Sequence, residues 1–294
     1  MDEQVPNTGF DLMQPRFAAV THRSWMEAYH ELELASDRVR QAAREDYTSA
    51  IIMWMRCLRL YREAFTRTYE LPSDTLPEVD ASFFLRLEWI GLSGLTSKVA
   101  FDNLLDGSYT QAYMLIRHMM DSWRRILFIR LSDPNDIWRW YPEHMVPHDV
   151  LDRPGYRHRE SAPNYRDEML PLVTERGSER DKRAFDKLGA GFLYLHEHAH
   201  PTLEGATQQR WGLSQTQRAF GPHYSQEHLR RGLKWGLSAT LLLLQELDVV
   251  ARQSDQWFAE ARDVNGEFSS WLTKNQIEIP PHNGESASPT GDEL

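Results

Sequence analysis

Hydrophobic positions recur at helical spacing along most of the chain, and most densely in residues 109–132. One broad face of this stretch is apolar and a narrower stripe is polar, which is typical of an amphipathic helix packed into a core. The apolar face comprises Ala112, Ile116, Met119, Met120, Trp123, Ile126 and Leu127, and the polar stripe comprises Arg117, Asp121, Arg124 and Arg125. Ser108 and Gln111 have the spacing of a capping box, and Asp106-Gly107 suits the end of a preceding helix. The sequence therefore predicts that residues 109–132 form the most buried helix.

The same spacing predicts helices in the rest of the chain. They are placed at about 22–69, 82–105, 165–175, 179–198 and 225–252, the last with a break and a continuation to 262. The link between the second of these helices and the one at 109–132 is so short that the two must run antiparallel. Gly91, Gly94 and Ser97 recur every three residues, and we expect this stripe to face the helix at 109–132. No strand-like alternation is present, so the prediction is an all-α bundle of about six to eight helices.

Proline and polar residues indicate where the bundle ends and where it is interrupted. Residues 1–20 are predicted to be an N-terminal arm, and 21–263 a single helical-bundle domain. Residues 264–294 are predicted to be a C-terminal extension, disordered from about residue 275. Residues 133–164 contain five prolines, and they are expected to form an irregular insertion. The helices after that insertion need packing partners before it, so one domain is expected.

Composition limits the kinds of protein that this chain can be. It has 294 residues, 41% hydrophobic and 26% charged, with a net charge of −10; this balance argues against a surface that binds nucleic acid broadly. No apolar run approaches the roughly 18 residues needed to cross a bilayer, and the acidic N-terminus shows no export signal. Cys57 is the single cysteine. A cytoplasmic protein without membrane contact is therefore expected.

The densest group of titratable side chains lies at the end of the predicted helix at 179–198. His196, Glu197 and His200 match the pattern H-E-x-x-H, in which two histidines bind zinc and the glutamate activates a bound water. Pro201 follows directly and is expected to end the helix, whereas the helix of zinc proteases continues through both ligands. Three interpretations follow: a zinc-dependent hydrolase, another metal site, or a helix end that is rich in histidine and needs no cofactor.

A second candidate is the pair Arg117 and Asp121, one turn apart on the polar stripe. On a half-exposed face such a pair is an ordinary salt bridge that contributes less than about 1 kcal/mol. If neighbouring helices cover that face, the pair is costly to bury unless it serves a purpose. The sequence leaves both interpretations open.

Two short segments resemble motifs of a known group of proteins. Residues 103–121 read NLLDGSYTQAYMLIRHMMD, and residues 194–202 read YLHEHAHPT. They are similar to G-x-x-x-E-A-x-x-L-x-R-x-x-x-E and Y-x-x-L-S-x-x-x-H-P-S, which occur in a broad group of HEPN-like helical proteins of bacteria. In this resemblance Arg117, Asp121 and His200 take the places of the group's arginine, acid and histidine. Aspartate stands where glutamate is usual, and threonine stands where serine is usual.

The resemblance covers about residues 82–250 and implies both a fold and a set of functions. HEPN-like proteins include metal-independent ribonucleases, toxins and phage-defence effectors, often dimeric, and also noncatalytic binding modules. The nuclease branch carries R-x(4–6)-H on one helix, where arginine holds phosphate and histidine transfers a proton. This chain has five such spacings, but three contain a proline and the others lie near the N-terminal arm.

The favoured prediction is therefore a noncatalytic binding or interaction module, with a second copy, an RNA or another protein as its partner. The alternatives are an RNA-directed nuclease, toxin or phage-defence effector, and the zinc hydrolase.

The two motifs together lead to one hypothesis for a composite site. Arg117 would hold an anionic group, Asp121 would orient Arg117 or His200, and His200 would transfer protons. Tyr194 and His196 would lie nearby. The hypothesis requires the two helices that carry these residues to pack together. It also requires the side chains of Arg117 and His200 to lie within about 10 Å, the reach of one bridging water or small ligand.

Overall fold

Eight α-helices make up most of the chain that the structure describes. The computed structural model describes residues 22–70, 81–133, 137–139, 146–154, 156–158, 163–199, 224–250 and 254–275. The helices in chain order are α1 (His22–Glu70), α2 (Ala81–Leu105), α3 (Tyr109–Leu131), α4 (His148–Leu151), α5 (Leu170–Arg176), α6 (Glu179–Ala199), α7 (Gln226–Val250) and α8 (Asp255–Lys274). No strand occurs in these ranges, which confirms the predicted all-α class. The predicted N-terminal arm and the tail beyond residue 275 lie outside them.

Helix α3 lies at the centre of the bundle, as its periodicity predicts. It packs against α2, α6 and α7, so neighbours cover it on several sides. Its buried side chains include every apolar residue of the predicted face: Ala112, Ile116, Met119, Met120, Trp123, Ile126 and Leu127. The broad apolar stripe therefore correctly indicated a helix enclosed by others.

The turn between α2 and α3 has a glycine where the backbone requires one. Gly107 adopts a φ of 74°, a conformation that side chains with a Cβ rarely tolerate. Its N–H donates to the Leu104 carbonyl at 3.2 Å, and the Ser108 N–H donates to the Asn103 carbonyl at 2.9 Å. This pair of bonds is a Schellman motif. It ends α2 abruptly and sends α3 back along it, as the short link predicted.

The predicted capping box at the start of α3 is wrong. Ser108 has φ −90° and ψ 62°, and its side chain makes no capping hydrogen bond. The reason is that Ser108 also belongs to the motif that ends α2. Its backbone is therefore not in the extended conformation that aims an N-cap hydroxyl at the next amides.

Helix α7 is a second centre of packing, held by a chain of buried hydrogen bonds. It packs against α1, α2, α3 and α8. The indole Nε1 of Trp54 on α1 donates to Ser97 Oγ on α2 at 3.0 Å, and Ser97 Oγ lies 2.8 Å from Thr240 Oγ1 on α7. Gly236 leaves room for the Trp54 ring, because a Cβ at that position would overlap it. Three helices are thus fixed to one another through one buried tryptophan.

The stripe of small residues on α2 does not face α3, contrary to the prediction. A Cβ at Gly91 would come within 2.7 Å of the Phe65 ring, and one at Gly94 would overlap the Tyr61 ring. Both rings belong to α1. Small residues therefore admit large aromatic side chains from the preceding helix, while α3 packs on another side of α2.

The bundle extends beyond the predicted boundary at residue 263. Helix α8 continues to Lys274, and Val264, Phe268 and Trp271 are buried in the core. The Trp257 indole Nε1 also donates to the Leu60 carbonyl on α1 at 2.9 Å. Residues 264–274 are therefore part of the packed bundle, because they bury apolar side chains at helical spacing.

The region predicted to be an irregular insertion contains short helical elements among its described residues. Residues 137–139 form a 3₁₀ turn, and α4 is a single turn. A π-helical turn at Tyr165–Met169 then leads directly into α5, and the side chain of Asn164 caps it. The sequence had predicted one regular helix over these last two elements.

Candidate functional site

The polar stripe of α3 contains a buried arginine that is fixed on two sides. Arg124 is only 8% exposed. Its Nη2 donates to the Pro163 carbonyl at 2.7 Å, and its Nη1 lies 3.5 Å from Asp121 Oδ1. Asp121, predicted as the partner of Arg117, therefore forms an ion pair with Arg124 one turn further on.

Helix α6 contacts this stripe through one aromatic ring. The guanidinium carbons of Arg117 and Arg124 lie 5.1 Å and 4.6 Å from the centre of the Phe192 ring. These are cation–π distances, and two arginines two turns apart on α3 thus share one ring of α6. The predicted packing of the two helices that carry the candidate residues is confirmed.

Two positive charges lie close together on this face of α3. Burial lowers the pKa of Arg124, Asp121 opposes that shift, and the nearby charge of Arg117 adds to it. A guanidinium nevertheless stays protonated at neutral pH. Two guanidinium groups therefore lie against one aromatic ring, with Asp121 paired to Arg124 beside them.

The remaining predicted site residues lie at the end of α6. The helical backbone continues through Ala199, so His196 and Glu197 lie within the last turn of α6, and His200 follows it. The side chains of Tyr194, His196 and Glu197, and the whole of His200, lie outside the described residues. The distance between Arg117 and His200 and the zinc geometry of the H-E-x-x-H pattern therefore remain predictions.

Metal-binding side chains do not cluster in the part of the chain that the structure describes. No group of three or more His, Cys, Asp and Glu residues there is arranged to hold a metal ion. Cys57 is buried, and burial raises the pKa of its thiol to about 12. It is therefore protonated at neutral pH and a weak nucleophile or ligand.

Sequence reasoning missed a buried ionic cluster between α3, α6 and α7. Arg130 binds Asp181 in a bidentate fashion, at 2.6 Å from Oδ1 and 3.3 Å from Oδ2. Its Nη2 also lies 3.3 Å from Glu246 Oε1. Asp181 accepts bonds from the N–H and hydroxyl of Ser178, the residue before α6. Only the spacing Ser178-x-x-Asp181, a capping box with an acid at its third position, indicated that this carboxylate has a fixed place.

The two carboxyl groups of this cluster differ in their electrostatics. Burial alone would raise the pKa of Asp181, but hydrogen bonds from Arg130 and Ser178 outweigh burial and lower it. Burial raises the pKa of Glu246, and Arg130 offsets that only in part. The cluster thus holds one firmly ionised carboxylate and one that is reluctant to ionise.

A group of aromatic side chains surrounds the start of α7. The Tyr113 hydroxyl donates to the His228 carbonyl at 2.9 Å, and the Ser225 N–H donates to the Tyr109 hydroxyl at 3.0 Å. The Tyr109 and His228 rings stack with centres 5.5 Å apart. Burial raises the pKa of Tyr109 to about 12, so its hydroxyl stays protonated. These contacts attach the start of α7 to α3, and they give the group a structural role.

A wide apolar groove lies on the other side of the bundle, between α1 and α2. Its volume is about 660 Å³. The rings of Tyr61 and Phe65 form its floor where they lie against Gly91 and Gly94. The close approach of two aromatic rings to glycines, which lack side chains, therefore shapes the groove.

Large apolar side chains are exposed on α1 and α2, and two of them, Leu92 and Leu95, line the groove. On α2, Leu92, Leu95 and Val99 are 47%, 73% and 48% exposed; on α1, Ile52 and Met55 are 50% and 56% exposed. The spacing within each set places them along one side of their helix.

In the part of the chain that the structure describes, no helix combines the length and the apolar composition needed to cross a membrane. Comparison with models of protein families, with curated proteins and with solved structures gives no match to this chain.

Proposed function

We propose that this chain is a noncatalytic interaction module with a HEPN-like helical bundle. We further propose that the groove between α1 and α2 is the surface through which it binds a second copy of itself. The composition of α2 supports this proposal, because its apolar residues surround the helix instead of forming one stripe. Such a helix is normally enclosed on every side, whereas Leu92, Leu95 and Val99 are uncovered.

The shape of this surface favours a second copy over a different protein. Leu95 projects beside the groove as a knob, and the groove next to it is an opening of about 660 Å³. A two-fold axis would place the Leu95 side chain of each copy in the groove of the other. This arrangement is self-complementary, which an interface between identical chains requires.

The charges at the edge of the groove are consistent with the same arrangement. Arg62 and Glu88 both line it, and neither forms an ion pair within the described residues. A surface that carries both signs can pair Arg62 of one copy with Glu88 of the other. A partner of uniform charge would leave one of the two unmatched.

Sedimentation velocity of the wild type and of Leu95→Glu tests the proposal. We expect the wild type to sediment as a dimer and Leu95→Glu as a monomer, because the substitution would bury a charge in an apolar groove. Leu95 is largely exposed within one chain, so the circular dichroism spectrum should not change. The matched control is Leu170→Glu, since Leu170 is an exposed leucine on α5 and should not affect the dimer.

Charge reversal distinguishes self-association from binding to another protein. Arg62→Glu should weaken the dimer, and the double variant Arg62→Glu with Glu88→Arg should restore it. A monomeric wild type over the whole accessible concentration range would overturn the proposal. Equal effects of Leu95→Glu and Leu170→Glu would overturn it too.

One observation favours an RNA-directed enzyme as a second candidate function. Arg117 and Arg124 place two guanidinium groups on one face of α3, at the ring of Phe192, which lies two turns before the end of α6. Such a face suits a phosphate group, and the predicted His200 would supply proton transfer beside it. Cleavage of RNA that is abolished by His200→Ala and weakened by Arg117→Ala would support this function over the noncatalytic one. Absence of cleavage would exclude it, and stoichiometric zinc in untagged protein would instead favour the zinc hydrolase.

A further inference from the structure

The cleft between α6, α7 and α8 has an unusual charge for this chain. Its volume is about 410 Å³, and Arg180, Arg183 and Lys187 of α6 line it, whereas no carboxylate of the described residues does. The chain as a whole carries a net charge of −10. A local excess of three cations on so acidic a chain creates a positive potential that attracts anions into the cleft.

Two of these cations have their charge free for a ligand. Arg183 and Lys187 are exposed, and neither forms an ion pair with a carboxylate among the described residues. The Nε of Arg183 donates to the Glu179 carbonyl of its own helix at 3.1 Å, which orients the guanidinium without neutralising it. The Nε of Arg180 instead donates to Gln245 Oε1 on α7 at 3.0 Å.

The floor of the cleft is apolar and is formed by Trp235 and Leu241 of α7 with Phe268 and Leu272 of α8. Ser238, Gln245, Asn265 and Ser269 add polar groups to the lining. A volume of this size accommodates a small organic molecule, and an apolar floor with a few charged groups at the edge is typical of ligand sites. The cleft therefore offers a surface for a hydrocarbon or ring and a separate place for a negative charge.

An inner cavity of about 220 Å³ adjoins the cleft and fixes the direction in which such a ligand would lie. Arg180 and Gln245 line both spaces, so their hydrogen bond lies between them. Asp181 and Glu246 line the inner cavity together with Arg130. Because Arg130 is already paired with both carboxyl groups, it is not available to a second anion there. The negative end of a ligand would therefore stay at Arg183 and Lys187.

We infer that this cleft binds a small amphipathic anion, a carboxylate or phosphate monoester with an aliphatic or aromatic body. The anionic group contacts Arg183 and Lys187, and the body lies on Trp235, Leu241 and Phe268. This inference uses different residues from those of the groove between α1 and α2. Either proposal can therefore fail without the other.

Isothermal titration calorimetry with defined probes tests the inference. Decanoate and decyl phosphate, each below its micelle concentration, should bind with a stoichiometry of one per chain. Decanol carries no charge, whereas acetate and inorganic phosphate carry charge without an apolar body, so all three should bind far more weakly. The stronger of the two decyl probes identifies whether a carboxylate or a phosphate ester is preferred.

A charge-reversal variant locates the site. Arg183→Glu combined with Lys187→Glu should weaken decanoate binding by roughly tenfold or more, because two attractive contacts become repulsive. The matched control is Arg44→Glu combined with Arg166→Glu, which changes the net charge equally at exposed positions away from the cleft. Its affinity for decanoate should stay close to that of the wild type.

Several results would overturn the inference. Equal binding of decanol and decanoate would show that charge has no role, and equal binding of acetate would show that the apolar floor has none. Equal weakening by both double variants would show that only net charge matters. If the cleft variant changed the oligomeric state of the protein, the cleft would be a protein contact instead of a small-molecule site.

Discussion

The groove between α1 and α2 and the cleft between α6, α7 and α8 differ in what holds their walls together. Aromatic rings packed against Gly91 and Gly94 form the groove. The cleft adjoins an ionic cluster in which Arg130 binds Asp181 and Glu246. The structure of the groove thus depends on close packing, whereas the structure beside the cleft depends on buried charges that must stay paired.

This difference has consequences that can be measured. Close packing responds to the addition of a single methyl group but not to pH. A buried ion cluster responds to pH and to the loss of one partner, since a charge left without its partner in the interior is very costly. Substitutions at the groove and beside the cleft should therefore change the free energy of unfolding by different amounts, and only those beside the cleft should do so in a way that depends on pH.

The largest effect is expected at Arg130, on the side of the cleft. Arg130→Met removes the cation shared by Asp181 and Glu246, which are 6% and 5% exposed. Both buried carboxyl groups would then lose the cation that hydrogen-bonds to them. We expect the free energy of unfolding to fall by about 3–5 kcal/mol, measured by urea denaturation at neutral pH.

The variant Arg130→Lys separates the loss of charge from the loss of geometry. Lysine keeps the charge but lacks the planar fork that binds Asp181 through two bonds. It should therefore lose clearly less stability than Arg130→Met. Equal losses would mean that packing of the long side chain, and not its charge, supports this wall.

Much of the fold could be predicted from the sequence because it is encoded locally. The apolar face of residues 109–132 and the Asp106-Gly107 turn correctly placed α3 at the centre, antiparallel to α2. Predictions about which helices face each other were less successful. Gly91 and Gly94 were assigned to the wrong neighbour, because a stripe of small residues indicates close approach but not the identity of the approaching group.

The candidate site could be predicted only in part, for a related reason. The sequence identified Arg117 and Asp121 on one stripe, but it did not show that burial and the Pro163 carbonyl make Arg124 the partner of Asp121. The cluster around Arg130 joins residues more than 50 positions apart in the sequence. No local pattern identifies such long-range pairs.

The next largest loss of stability is expected at the groove, where a substitution tests close packing without changing any charge. Gly94→Ala places a methyl group where the Tyr61 ring lies, and we expect a loss of about 1–2 kcal/mol despite the better helix propensity of alanine. The matched control is Gly266→Ala on α8, where nothing lies within 4 Å of the new Cβ. That variant should gain about 0.5–1 kcal/mol. If urea denaturation showed that both variants change the free energy of unfolding in the same direction, close packing at Gly94 would not explain the effect.

The pH dependence at Asp181 should distinguish the cleft from the groove. The pKa of Asp181 is lowered in the folded protein, so its contribution is complete above its unfolded pKa of about 3.9 and is lost as the pH falls through the folded value. Asp181→Asn should therefore cost about 1 kcal/mol at pH 6. The difference from the wild type should shrink steadily below pH 4.

Two comparisons check that this pH dependence arises at Asp181. Glu246, whose raised pKa acts in the opposite direction, is present in both proteins. Burial is the main cause of that shift and the charge of Asp181 the smallest, so most of its contribution cancels in the difference between them. The loss in the free energy of unfolding caused by Gly94→Ala should be the same at pH 6 and below pH 4. A difference between the wild type and Asp181→Asn that does not change with pH would contradict the ionic account of this wall.

The smallest effect is expected for an arginine that pairs with two carboxylates at the exposed surface. Arg59 pairs with Glu63 at 3.1 Å and also with Glu260 on α8, which resembles the arrangement of Arg130 with two carboxylates. The side chains of Arg59 and Glu63 are 53% and 38% exposed, however, so water solvates both charges whether or not they are paired. Glu260 would keep a second partner, Arg56. Arg59→Met should therefore cost less than about 1 kcal/mol, and that cost should decrease further in high salt. If Arg59→Met cost as much as Arg130→Met in parallel urea titrations, burial would not be what makes the inner cluster important.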